Sequence, residues 1–197
     1  SSAAQMCIRD RYSYNSEYLT CNARPILPIM GEFHFSRYPE EEWKTALKKM
    51  QQGGVDIVAT YVFWIHHEEA EGEWDFSGRR NLKAFLSCCQ ETGMKVWLRI
   101  GPWAHGECRN GGFPDWLVEK EKRGKLSLRT DDPQYLKYVD LFFTKIAEQA
   151  DGYMHKDDGP VIGIQIENEY GHAGGPSDRE EGMAHMRTLR AMAEKKG

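Results

Sequence analysis

Short apolar runs alternate with helix-patterned segments along this chain, and that alternation restricts it to a sheet of parallel strands joined by helices. The runs lie near Ile29–His34 and at Asp56–Trp64, Lys95–Ile100 and Val161–Ile166. Pro39 opens the first helical pattern, in which Trp43, Leu47 and Met50 share a face and which Gly53-Gly54 ends. Leu82, Phe85, Leu86 and Cys89 mark a second helix, stopped by Gly93. Asp132 as N-cap and Pro133 at the first helical position begin a third, with Leu136, Val139, Phe143 and Ile146 on one side. Ser177 and Glu180 have capping-box spacing for a last helix running toward Ala193, with Met183, Met186 and Met192 read as its core face.

The pattern gives about four βα units and a long irregular stretch over residues 101–131. Two architectures use such units: a doubly wound sheet and a (β/α)8 barrel. A nucleotide-binding doubly wound sheet carries a glycine-rich loop after its first strand. Here that position reads Gly31-Glu-Phe-His-Phe, and Gly53-Gly54 precedes a strand. Polar residues cluster after the second, third and fourth runs, as in a barrel with its site at the C-terminal face. A full barrel takes about 250 residues. The expectation is therefore an α/β fold of (β/α)8 TIM-barrel type, truncated to about its first four βα units. Residues 1–11 lack periodicity, and Gln5 to Arg11, which contains Met-Cys-Ile-Arg-Asp, reads as a translated sequencing-library adaptor. The expected division is an artefactual segment over 1–11 and the N-terminal half of a barrel over 12–197. On that reading a native targeting signal would be missing, so the compartment is not legible, although secretion or a periplasmic location is compatible.

Charge and cysteine usage narrow the function. The net charge is −4 with both signs mixed, which argues against a nucleic-acid footprint. No apolar run approaches the roughly 20 residues of a membrane helix. Five cysteines show no zinc-type CxxC spacing, and Cys88 and Cys89, adjacent in a helical pattern, read as core-facing thiols. Six Trp and nine Tyr suit core packing and also stacking on sugar faces.

The chemistry sits at three strand ends. Val161–Ile166 stops in Glu167, Asn168 and Glu169, and carboxylates are rarely buried without a partner. Strand alternation would give the two glutamates one face unless a bulge intervenes. Thr60–Glu68 and Gly101–Gly112 hold the other candidates. His66, His67, Glu68 and His105 are metal-ligand types, but neighbouring strand residues point to opposite faces, so hydrogen-bonding rim histidines are expected. No metal or cofactor is expected.

The segments GEFHFSR, GGVDIVATYVFW, LRIGPW, GGFPDWL and QIENEYG, in this order and spacing, resemble glycoside hydrolase family 35, the β-galactosidase family. The resemblance runs from about Pro28 to Gly175. It implies a (β/α)8 barrel with further β domains, which removes terminal non-reducing β-D-galactosyl residues from oligosaccharides or polysaccharides with retention of configuration. A retaining glycosidase needs two carboxyls about 5–5.5 Å apart. The resemblance makes Glu169 the acid/base, its pKa raised by burial, with Asn168 on the sugar 2-hydroxyl. It gives Tyr61, Gly106 and Glu107 to the galactose and leaves Glu167 as supporting structure. Glu107 is also readable as a solvated loop charge, and Tyr61 as a barrel-layer aromatic. The nucleophile is expected beyond Gly197, so the 197 residues alone are expected to be inactive. Ile65, His105 and Cys108 depart from the family pattern near the sugar-facing rim. They leave two alternatives: a hydrolase of another β-hexoside such as a glucosaminide, and a non-catalytic galactose-binding module.

Overall fold

The computed structural model describes residues 11–171 and 179–197. Three short antiparallel strands come first: β1 (Tyr12–Tyr14), β2 (Leu19–Cys21) and β3 (Arg24–Ile26). The sequence reading assigned no strands there, because the segments are too short for a periodicity to register. A second sheet follows, built from β4 (Met30–Glu32), β5 (Ile57–Tyr61), β6 (Lys95–Gly101) and β7 (Val161–Ile166). Its strands are parallel and adjacent in chain order.

The helices between them follow local chemistry. Helix α1 (Trp43–Gln52) is preceded by a 3-10 turn over Glu40–Glu42, and the backbone N–H of Gly53 bonds back to its last carbonyls. A single helical turn, α2 (Trp64–His67), follows β5. Helix α3 (Leu82–Thr92) is capped by Asn81, whose side chain accepts from the Ala84 N–H at 2.9 Å, and it ends at Gly93 in the left-handed conformation. Helix α4 (Asp115–Lys122) lies in the connection after β6. Helix α5 (Pro133–Ala150) begins as expected, with Asp132 accepting from the N–H groups of Gln134 and Tyr135. Helix α6 (Arg179–Glu194) is the last, and Ser177, its expected cap, lies outside the described residues.

Four expectations are corrected. The run at Asp56–Trp64 leaves the sheet at Tyr61, and Trp64–His67 turns into α2 because its apolar side chains are buried as a helical turn. The alternation argument against a shared ion at His66 and His67 therefore loses its premise. Among the described residues, however, no group of three His, Cys, Asp or Glu is placed to hold a metal. The stretch 101–131 is not wholly irregular, since it holds a 3-10 turn at Arg109–Gly112 and α4. On α6 the side chains of His185 and Leu189 are buried and Met192 packs partly buried against the core, whereas Met183 is 54% exposed. Cys89 is buried and Cys88 half-buried, both as free thiols.

One face of the parallel sheet packs on the helices. Val58, Val96, Leu98 and Val161 meet Trp43, Leu47, Phe85, Leu86, Val139 and Phe142 in one apolar core. Gly31 lets Met50 of α1 approach β4, where a Cβ would lie 2.9 Å from the Met50 methyl. The opposite face carries Ala59, Trp97 and Gly163 in register, then Tyr61, Arg99 and Gln165 one step toward the C-terminal ends. Consecutive parallel strands with helices on one face, and polar side chains on the other, are successive units of a (β/α)8 barrel. A doubly wound sheet would reverse its strand order and carry helices on both faces.

The inner face is tightly fitted at one point. The Trp97 ring occupies the space over Gly163, where a Cβ would sit 2.1 Å from the ring. Gly163→Ala is expected to destabilise the protein by about 1–3 kcal/mol, the usual range for overpacking. Adding Trp97→Leu should recover part of that loss, measured as the denaturant midpoint of the two variants.

Candidate active site

The end of β7 shapes the site. Glu167 and Glu169 both have left-handed backbones, with φ of 54° and 46°, so strand alternation stops at Ile166 and the two carboxylates part company. The Glu167 N–H donates to the Gly101 carbonyl at 2.7 Å, fastening this turn to the end of β6. The Glu167 carboxylate points into the protein and is 2% exposed. Arg129 meets it with two donors, Nη2 at 2.5 Å and Nε at 3.2 Å, and Nη2 also reaches the Asn168 carbonyl at 3.1 Å. The Arg129 guanidinium lies against the rings of Trp103 and Tyr170. Burial pushes the Glu167 carboxyl above its usual range, against the opposing pull of Arg129. Glu167 is thus a brace under the turn.

Glu169 faces outward. Its side chain is 56% exposed, and its carboxylate lies 3.8 Å from His105 Nδ1. The buried environment anticipated for it is not formed by the described residues. What surrounds it is the polar rim. Asn168 is half-buried, and its side-chain oxygen accepts from Arg99 Nη2 at 2.9 Å and from Gln165 Nε2 at 3.2 Å. Arg99 also pairs with Glu32, and its guanidinium carbon lies over the Tyr61 ring, 3.8 Å from the centroid. Tyr61 is buried among His34, Phe63 and Arg99. Burial is the main reason its hydroxyl is pushed up to about 12; Arg99 opposes, while Glu32, Glu169 and Glu107 add to the rise.

The loop after β6 is built from left-handed residues: His105, Gly106, Glu107, Asn110, Gly111 and Gly112. Gly106 is required by close approach as well, since a Cβ there would lie 3.0 Å from Phe63 and 3.4 Å from Tyr61. The tight turn projects Glu107 into an open cleft of about 520 Å³, shared with Arg37, His66, Glu69 and Arg109. The departures from the family pattern fall around it. Ile65 is buried in a small apolar cluster with Tyr61, Phe63 and Ala104, against which Cys108 packs. Tyr61 and Gly106 are therefore in contact, Asn168 is tied to Arg99, and Glu169 stands beside His105.

Sequence reasoning missed Arg99, Glu32 and Arg129. Arg99 had a readable signal, because it alternates with Val96, Leu98 and Ile100 on β6 and so had to face the other side of the sheet. Arg129 had none, being brought to Glu167 only by the path of the long loop. The histidines of α2 are structural. His66 Nδ1 bonds the Ser36 hydroxyl at 2.8 Å, and His67 is stacked between Phe35 and Phe76 with Nδ1 3.1 Å from the Asp75 carbonyl. Burial, first among the causes, lowers both to about 4.

Polar and charged side chains, Glu169 and Asn168 among them, gather at the C-terminal ends of the parallel strands, where a (β/α)8 barrel carries its site. The family model of glycosyl hydrolases family 35 matches residues 18–197, and this chain belongs to that family. It is 37% identical over 158 residues to a β-galactosidase of Pongo abelii, covering 80% of this chain and 23% of that protein. It is 35% identical over 176 residues to a β-galactosidase of Xanthomonas manihotis, covering 89% and 28%. The chain thus spans about a quarter of the length of these relatives. An exo-β-1,4-mannosidase from Opitutaceae bacterium strain TAV5 shares the fold, with a TM-score of 0.65 at 19% identity over 87% of this chain and 30% of that one.

Two outcomes follow from the buried charges. Arg129→Met strands the Glu167 carboxylate and should cost about 3–5 kcal/mol, whereas Arg129→Met with Glu167→Leu should recover much of it; urea unfolding of the three proteins checks this. His66 and His67 are kept neutral in the fold, so the unfolded chain takes up their protons first as pH falls. Their contribution is full above pH 6.5 and is lost as pH drops toward about 4. The unfolding midpoint should fall across that window, and less steeply in His67→Gln.

Proposed function

We propose that the protein to which this chain belongs is a retaining β-galactosidase-like hydrolase that cleaves terminal β-D-galactosyl residues, with Glu169 as its acid/base. The observation that carries the proposal is the split at the end of β7: Arg129 draws Glu167 inward as a brace, and Glu169 is left free at the rim beside Asn168. A proton donor must reach the glycosidic oxygen, and only the outward carboxylate can do so. The Glu169 side chain is 56% exposed at the rim, open to an incoming glycosidic oxygen.

The other roles follow the same geometry. Asn168 donates to the 2-hydroxyl of the galactose, a contact that tightens as charge develops on the ring. Tyr61, its hydroxyl kept protonated, donates to a sugar oxygen, and Glu107 accepts from sugar hydroxyls. Gly106 leaves the backbone close enough to line the same subsite. The nucleophile is assigned to a glutamate on a later barrel strand, outside these residues, and the β-galactosidases of Pongo abelii and Xanthomonas manihotis support the choice of sugar.

The test is turnover of an aryl β-galactoside and related aryl β-hexosides by the full-length protein. Glu169→Gln should lower kcat on the preferred sugar by about 10²–10⁴-fold, the span of a general acid/base. A folded protein that binds galactose without turnover would instead indicate a sugar-binding module.

A further inference from the structure

We infer that Gln165 and Arg99 are positioning residues that fix which end of the Asn168 amide faces the sugar, and so set the enzyme's demand for a 2-hydroxyl. The inference rests on the reading of Asn168 as the 2-hydroxyl contact. It starts from a backbone carbonyl, which can only accept. The Glu167 carbonyl receives a hydrogen bond from Gln165 Nε2 at 2.9 Å, so the Gln165 amide must turn its NH2 toward the end of β7. The same NH2 reaches the Asn168 side chain at 3.2 Å, and the atom it meets must be an acceptor.

Arg99 makes the same demand from the other side. A guanidinium has five donors and no acceptor. Its Nη2 lies 2.9 Å from the same Asn168 atom. Arg99 is held in place, because its guanidinium carbon lies over the Tyr61 ring and its Nη1 is bound by Glu32. Both donors therefore converge on Oδ1, and flipping the amide would set an NH2 against two N–H groups. The orientation of an amide is ordinarily assigned from such a network, and here each anchor admits only one answer.

The consequence is at Nδ2. With Oδ1 doubly occupied, the NH2 of Asn168 is turned away from the protein's own donors, and no partner for it is found among the described residues. It is presented as a donor suited to a hydroxyl oxygen. Asparagine without this pair would rotate about its last side-chain bond and offer oxygen or nitrogen alike. Gln165 and Arg99 stand on the inner face of neighbouring strands in register, so the device is built into the sheet and does not rely on a loop.

The experiment compares kcat/KM of the full-length protein for an aryl β-galactoside and its 2-deoxy analogue. Wild type should prefer the 2-hydroxy substrate. Gln165→Met, close in volume, should lose about tenfold on that substrate, the scale of one hydrogen bond, and stay within about threefold on the 2-deoxy substrate. Arg99→Lys, which keeps a donor but loses the fork and the stacking, should lose the preference in part, and it carries the test if Gln165→Met does not fold. Equal losses on both substrates, or an unchanged ratio, would overturn the inference while leaving the proposed activity standing. Absence of any turnover by folded wild-type protein would overturn that activity and this inference together.

Discussion

The ion pair between Arg129 and Glu167 holds the rest of the site in place. It joins the long connection after β6 to the last strand, and both partners are almost wholly removed from water. Charges in that setting are tolerated only when each is matched, so the path of residues 101–131 and the turn at 167–169 are fixed together. The same guanidinium supports the Asn168 carbonyl and rests on Trp103 and Tyr170. The left-handed backbone at Glu167 and Glu169 is held by these contacts and by the bond from Glu167 to Gly101. One carboxylate serves as an anchor so that its neighbour two residues on can face outward.

A second layer of organisation runs across the sheet. The helix-facing side is apolar and continuous, and it sets the spacing of β4 to β7. The inner side becomes polar only toward the C-terminal ends, where Tyr61, Arg99 and Gln165 stand side by side. Rigid strands therefore deliver the groups that orient Asn168, and the strained loop at His105–Gly112 delivers Glu107. This is the division expected of a barrel, in which packing fixes the frame and loop ends vary the chemistry.

What the sequence disclosed was what local chemistry controls. Asp132-Pro133 starts α5 because the cap and the fixed proline φ act within one turn, and Gly93 stops α3 by taking a conformation that other residues resist. The apolar run through Trp64 misled, because buried strand and buried helical turn share a composition and only the fold decides between them. The two glutamates of β7 were legible as a pair, but their opposite directions were not, since these depend on a guanidinium 38 positions away. The outward direction of Glu169 has a related origin, since the left-handed turn at 167–169 that carries it there is held by the same guanidinium.

Trp97 and Gly163 have a further consequence. The indole fills the space above the glycine so fully that the two positions share one volume. Neither can drift freely: a side chain gained at 163 must be matched by one lost at 97. Across related sequences the two should therefore change in concert, as a trace of contact between strands that meet in the barrel wall.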